Sequence, residues 1–378
     1  MENQNSVCYV GIVTEVKTIE GADNIELVTV GGWNAITKKS EYKVDDSVIV
    51  ATTDAVIPQK LSDDLGVTNY LRKGQRVRTV KLRGVYSECL IIPMTSLSGK
   101  GAKNIPGTDL MQTLGITKYE PPVKTVQLSA GGRKIKYHQN PNFGVYYKFP
   151  NLKNVTGMFT EDDIVQITRK LHGTNARYGF VKKRKLSFMD RVKKFFRVAD
   201  ELVDYEYVYG SHNVEKGSDS QGFYDTDVWR TVAEKYDIKS KLKEFALTLH
   251  KEKRLGAGAV LYGEIYGAGI QKNYDYGLKD IEFAGFDLVI DGSYEGTIYT
   301  EWVFGIIIKL PHVPILYVGP WSQTIQDQFV FNNFIEGTKV PHEGIVIKHV
   351  SGERKKVAKV INPDYLIYGE KHNVGDSH

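Results

Sequence analysis

The stretch Gln166–Phe180 reads QITRKLHGTNARYGF, and in it Lys170 closes a strand-like run three residues before Gly173. A lysine amine is a poor nucleophile at neutral pH, because its ordinary pKa is about 10.4. Burial, a cationic neighbour or a metal can free the lone pair. A lysine that attacks the α-phosphate of a nucleotide forms a phosphoramidate and expels pyrophosphate. Such a site needs a glycine for close approach and cations for the phosphates. It also needs carboxylates for metal and ribose, and an aromatic surface for the base.

Each of these parts is present further along the chain. LYGEIYG places Glu264 in a strand, with Tyr262 and Tyr266 on the same face by two-residue alternation. EFAGFDLV offers Phe283 and Phe286 as surfaces for a base. PHEGIVIKHV puts Glu343 at a strand start beside Gly344, and RKKVAKVINPDYL supplies Lys355, Lys356 and Lys359. Singly these signals are weak. A Lys-x-x-Gly is commonly a strand-end turn, a Glu-Gly an ordinary turn, and a lysine-rich strand end a solvated edge. Their order and spacing as a set carry the argument.

That set resembles the covalent nucleotidyltransferases, and within them the ATP-dependent RNA ligases. KLHGTNAR (Lys170–Arg177) is similar to the family's Lys-x-(Asp/His)-Gly nucleophile motif, in the His form of its RNA-ligase branch. VYGSHNV, LYGEIYGAGIQ, EFAGFDLVI, HEGIVIK and AKVINPDYL follow in the family's order, and the resemblance covers about 146–370. It implies that Lys170 takes AMP from ATP, with His172 and Gly173 in the nucleotide-binding loop. Glu264 would act at the ribose or the metal, and Glu343 would help hold Mg²⁺ or Mn²⁺. Phe283 or Phe286 would stack on adenine. Lys359 would contact the α-phosphate, with Lys356 as a further candidate, and Arg177 would reach the ribose or a phosphate. Ser211, His212 and Arg177 become candidate contacts to the RNA.

Two positions depart from the family pattern. Arg169 precedes the nucleophile where this branch often has Glu, and the last motif reads Lys356-Val-Ala-Lys359 instead of Lys-x-Lys. Lysines three apart on a strand point to opposite faces, so Lys359 is the firm member. The chain ends at His378 without the C-terminal OB domain of DNA ligases and capping enzymes. The resemblance therefore implies an RNA ligase with its accessory module in front. Its substrate would be RNA with 5′-phosphate and 3′-hydroxyl ends, in a nicked duplex, in RNA repair. The competing reading is a non-catalytic RNA-binding protein with a decayed transferase domain.

The elements that must position these residues fall into two parts, as the 378-residue length suggests. Residues 1–112 read as about five short β-rich runs separated by Gly-, Asn- and Asp-bearing turns, an all-β OB-type barrel. Such a barrel can bind oligonucleotides or simply brace its neighbour. Lys81, Arg83 and Tyr86 can equally meet RNA or be ordinary strand-face residues. Residues 113–145, with paired prolines, paired glycines and Asn-Pro, read as a linker. From 146 to 378 strands and helices interleave without a βαβ repeat, which predicts an α+β domain with largely antiparallel sheets. A helix is predicted from Asp237, with Leu242, Phe245, Ala246 and Leu249 at helical spacing.

Val181–Arg197 concentrates basic residues after the nucleophile motif. It reads either as a grip on RNA phosphates or as an amphipathic helix with Phe188, Val192, Phe195 and Phe196 as its apolar stripe. A hydrophobic fraction of 41%, a charged fraction of 25% and a net charge of +5 are those of an ordinary globular chain with a mild basic bias. No signal segment or bilayer-length apolar run is present, so a cytoplasmic protein without membrane contact is expected. Cys8 and Cys89 have no metal-type spacing and read as reduced buried thiols, with a single disulfide as the alternative. Nothing points to an oligomer, and a monomer is expected.

Overall fold

The computed structural model describes residues 6–72, 74–119, 140–186, 191–192, 202–212, 215–216 and 227–374. They form two compact units.

The first unit is built on five antiparallel strands: β1 (Cys8–Thr18), β2 (Ile25–Val30), β3 (Trp33–Lys38), β4 (Ser47–Thr52) and β5 (Cys89–Ile92). Their order is β3-β2-β1-β4-β5. A bulge between Val13 and Glu15 lets β1 serve two neighbours, β4 with its first half and β2 with its second. The GGWN turn is a two-residue hairpin, with Val30 opposite Trp33 and Gly31 at φ +58°. Glu88 N–H donates to the Asn34 carbonyl (2.7 Å) beside β5, which nearly closes the barrel. Alternate residues fill the interior, among them Val10, Val28, Trp33, Ile49 and Ile92. The module is an OB-fold. Cys8 and Cys89 are both buried free thiols.

The barrel's elements run past residue 112. A short helix, Met111–Leu114, adds Leu114 to the core, and Thr117–Lys118 pairs with Ala55–Val56. Residues 150–159 and 360–371 also belong to this unit. Most of the final helix, Pro363–His372, packs there through Arg78–Glu370 (3.1 Å) and Lys81–Asp364 (3.7 Å). Tyr86 bonds both Lys81 (2.8 Å) and Asp364. Lys81 and Tyr86 thus hold the final helix within this unit. Arg83 stands at an exposed hairpin tip.

The second unit is α+β and carries two sheets. The four-stranded sheet contains β6 (Ile164–Lys170), β13 (Ile315–Pro320), β14 (Gly344–His349) and β15 (Val357–Ile361, its last two residues counted with the first unit), in the order β13-β6-β14-β15. The six-stranded sheet is antiparallel throughout. It contains β7 (Thr174–Lys182), β8 (Tyr205–Gly210), β9 (Glu215–Lys216), β10 (Gly258–Gly267), β11 (Ile281–Ile290) and β12 (Ser293–Tyr294). Its order is β9-β8-β7-β10-β11-β12.

One face of the six-stranded sheet is covered by α1 (Val228–Lys235) and α2 (Ile238–Lys251). Asp227 caps α1 through the Arg230 amide. The predicted stripe Leu242, Phe245, Ala246 and Leu249 is buried against this face. The other face carries the chemistry. Of the basic segment Val181–Arg197, residues 187–190 and 193–197 lie outside the described residues, with Phe188, Phe195 and Phe196 among them.

Candidate active site

Lys170 is the last residue of β6, and β7 begins at Thr174 in the other sheet. The turn through Gly173 is therefore a crossing from sheet to sheet. Pairing of β6 with β14 ends with Lys170 opposite Gly344, which places Glu343 beside the lysine. Lys170 Nζ lies 2.5 Å from Glu343 Oε1. Glu343 is buried, and among the described residues its Oε2 has no hydrogen-bond partner.

Glu264 reaches the same place from β10. Asn175 and Glu264 face each other across β7 and β10, directly after the crossing turn. A Cβ on Gly173 would sit 2.2 Å from the Ile265 carbonyl oxygen and 2.9 Å from Glu264 Cγ, so only glycine lets the Lys170 loop lie this close. Part of the Glu264 side chain reaches solvent, yet loss of hydration pushes its carboxyl up to about 8. Lys170 and the Gly173 amide pull the other way, while Glu343 adds to the rise.

These carboxylates fit a hard divalent cation. Glu343 Oε2 is a buried acceptor without a partner among the described residues, and loss of hydration holds Glu264 toward its neutral form. Among the described residues no cluster of three or more His, Cys, Asp or Glu is present. One or two carboxylates, completed by water and phosphate oxygens, is the usual protein share of a Mg²⁺-type site.

The crossing turn is held by side chains that the sequence reading did not single out. His172 N–H donates to the Tyr276 hydroxyl (2.7 Å), and Gln271 Nε2 donates to the Gly173 carbonyl. The His172 ring is buried edge-on to Tyr274, 4.7 Å between centroids. All three partners come from the loop that follows Glu264's own strand. Its composition, GIQKNYDYG, combines polar and aromatic residues, the one signal the sequence offered.

The two phenylalanines take opposite faces of β11. Phe283 is 0% exposed in the helix-facing core, edge-on to Tyr178 at 5.6 Å. Its ring is taken up by packing and is not offered to a base, which corrects its reading as a stacking candidate. Phe286 is partly exposed and packs against the cluster of Leu171, Ala284 and Val313, beside the Lys170 loop. Its main chain is pinned by Lys348, which donates to the Phe286 carbonyl (2.8 Å) and pairs with buried Asp287 (2.7 Å). Tyr146 donates its hydroxyl to the same Asp287.

Arg177 shares the face of Glu264, two residues along β7 from Asn175. It is fully buried. Nε donates to the Ser211 carbonyl (2.9 Å), Nη1 donates to the Phe143 carbonyl (2.6 Å), and the guanidinium lies 4.2 Å from the Phe143 ring. Arg177 and Ser211 are thus brought together through the Ser211 main chain, and His212 follows in a partly exposed bend.

Lys356 and Lys359 part company, as their spacing predicts. Lys356 precedes β15 and pairs with Asp163, whose carboxyl it holds below the usual range. This corrects the reading of Lys356 as a nucleotide contact, because Asp163 lies just before β6 and Lys170 closes it, so the pair sits at the other end of that strand. Lys359 lies within β15, partly buried. Arg169 alternates away from Lys170. Its guanidinium reaches the Phe329 carbonyl (3.4 Å) near the end of the helix Gln323–Val330, a favourable place for a cation. The Glu-to-Arg departure therefore falls on a structural face.

Comparison with known proteins identifies the fold and the family. Residues 163–361 match the family model for RNA ligase, and residues 7–94 match an OB-fold domain. Among solved structures, a Naegleria gruberi RNA ligase variant with ATP and Mn has a TM-score of 0.68 at 24% identity, covering 97% of this chain and 99% of that one. The Naegleria gruberi RNA ligase with PPi has a TM-score of 0.67 at 23% identity, covering 98% and 99%. A variant with AMP and Mn has a TM-score of 0.66 at 24% identity, covering 97% and 99%. No curated protein sequence matches. At these identities the structural likeness speaks for the fold, and the family match spans more than half of the chain: the protein belongs to the RNA ligase family.

Proposed function

We propose that this RNA ligase uses ATP and a divalent metal, Mg²⁺ or Mn²⁺, and works through a lysyl-AMP intermediate on Lys170. The observation that carries the reading is the 2.5 Å pair of Lys170 and Glu343, set beside Glu264 at a glycine-only crossing. Neutral Lys170 Nζ attacks the α-phosphorus of ATP, the bond to the bridging oxygen breaks, and pyrophosphate leaves. AMP then passes to an RNA 5′-phosphate, and a 3′-hydroxyl displaces it to seal the strand. Glu343 and Glu264 would hold the metal, which would supply charge neutralisation on the phosphates.

The chain's own residues mainly position and neutralise. Lys359 steadies the α-phosphate. Phe286 stacks on adenine, its main chain fixed by Lys348 and Asp287. Arg177 acts from beneath, ordering the Ser211–His212 bend against which RNA would lie. The buried guanidinium and its main-chain acceptors support that positioning role over direct contact with phosphate. A nicked RNA duplex, a role in RNA repair, a monomeric state and an intracellular location belong to the same reading. No described helix is long and apolar enough to cross a membrane.

The test is sealing of a nicked RNA duplex bearing 5′-phosphate and 3′-hydroxyl ends, with ATP and Mn²⁺. Joined product that disappears in Lys170→Ala supports the reading. Equal joining by Lys170→Ala refutes it.

A further inference from the structure

We propose that Tyr276 and Tyr274 are positioning residues that tie the Lys170 turn and the Glu343 segment to one loop, so that this loop sets the Lys170–Glu343 geometry. The inference rests on the adenylylation reading above. Ladder pairing between β6 and β14 ends at Lys170 and Gly344. Beyond that point the sheet no longer fixes either catalytic segment. His172 lies just past the end of β6, and Pro341 lies just before Glu343.

Both segments are bonded by tyrosine hydroxyls of the loop between β10 and β11. Tyr276 accepts from His172 N–H at 2.7 Å, and Tyr274 donates to the Pro341 carbonyl at 2.8 Å. The two rings meet edge-on at 5.1 Å, so both hydroxyls are carried by one packed pair of rings. Leu171, beside the nucleophile, packs against Tyr276 as well. Tyr274 is 3% exposed, a setting where phenylalanine would pack equally well. The hydroxyl is the only difference, and in each case it serves the main chain of a catalytic segment. The Glu343 segment has a second tie, His342 N–H to the Asn333 carbonyl (2.9 Å). The Lys170 turn has one as well, Gln271 Nε2 to the Gly173 carbonyl, and Tyr276 is the more critical of the pair because the segment it holds carries the nucleophile.

The experiment measures protein labelling by α-labelled ATP with Mn²⁺ on the full chain, as maximal rate and half-saturating ATP, alongside melting temperature. Tyr276→Phe is expected to lower the maximal rate about tenfold or more through misplacement of Lys170. Half-saturating ATP should stay within about twofold. Tyr274→Phe should show a smaller drop of the same kind. Tyr178→Phe is the structural control. It loses a buried hydroxyl bond to the Trp229 carbonyl (2.9 Å) in the helix-facing core, and should lower melting temperature while leaving the maximal rate alone. A wild-type maximal rate in Tyr276→Phe overturns the inference, as does an equal rate loss in Tyr178→Phe. If Tyr276→Phe does not fold, Tyr274→Phe decides by the same criteria. An unlabelled wild-type protein refutes the adenylylation reading itself, and the inference with it.

Discussion

Replacing Gly173 with alanine should slow adenylylation of Lys170 about a hundredfold, and the reason is space alone. The glycine's φ is outside the left-handed region, so alanine meets no backbone penalty there. Its Cβ, however, would lie 2.2 Å from the Ile265 carbonyl oxygen, where ordinary contact begins near 3.4 Å. Ile265 sits in β10, hydrogen-bonded between β7 and β11, and cannot retreat. The loop must move instead, by about 1 Å, and a misplacement of that size typically costs ~10²-fold in rate. Overpacking of this kind destabilises a fold by about 1–3 kcal/mol. The assay is the initial rate of protein labelling at saturating α-labelled ATP, with a thermal melt on the same sample. A wild-type rate in Gly173→Ala would refute the close-approach argument. A change confined to half-saturating ATP would also refute it, because the displaced group would then be the nucleotide and not the lysine.

Phe286→Leu should raise half-saturating ATP several-fold with a small change in melting temperature, whereas Phe283→Leu should lower melting temperature and leave ATP saturation alone; titrations and melts of both variants check this. Lys359→Ala should abolish labelling, while Lys356→Ala should retain most of it, because Lys356 is engaged by Asp163; parallel labelling assays separate the two. Glu264 supplies a pH dependence. Its folded carboxyl is raised from 4.5 to about 8, so the metal-free fold binds the extra proton between those values, and its contribution to stability fades as pH rises through that window. Mn²⁺ must displace that proton, so the Mn²⁺-induced gain in melting temperature should grow from about pH 6 to pH 8, and Glu264→Gln should flatten the trend.

The strands were legible in the sequence wherever one face is buried. IELVTV and WNAITK alternate cleanly around the Gly31–Gly32 turn, and α2 shows its apolar stripe in full. Lys170, Glu264 and Glu343 were legible because each stands at a strand end or centre within a recognisable order. Which phenylalanine faces the site was not, because residues three apart on a strand take opposite faces and nothing local says which face the helices cover. The pairing of Lys356 with Asp163 spans almost two hundred residues and leaves no local signal. The same holds for the final helix, whose ties to Arg78 and Lys81 bring the chain's end back to the first barrel. Tyr274 and Tyr276 were hidden differently. Their rings look like ordinary packing residues, and only the direction of their hydroxyls reveals what they hold.

The central claim is that Lys170 carries AMP. The direct measurement is incubation with α-labelled ATP and Mg²⁺ or Mn²⁺, followed by denaturation and peptide mapping of the label, beside Lys170→Ala. The account predicts acid-labile label on the peptide containing Lys170, absent from the variant. Label on another residue would contradict it, and no label with either metal would contradict it and favour an RNA-binding protein with a decayed transferase domain.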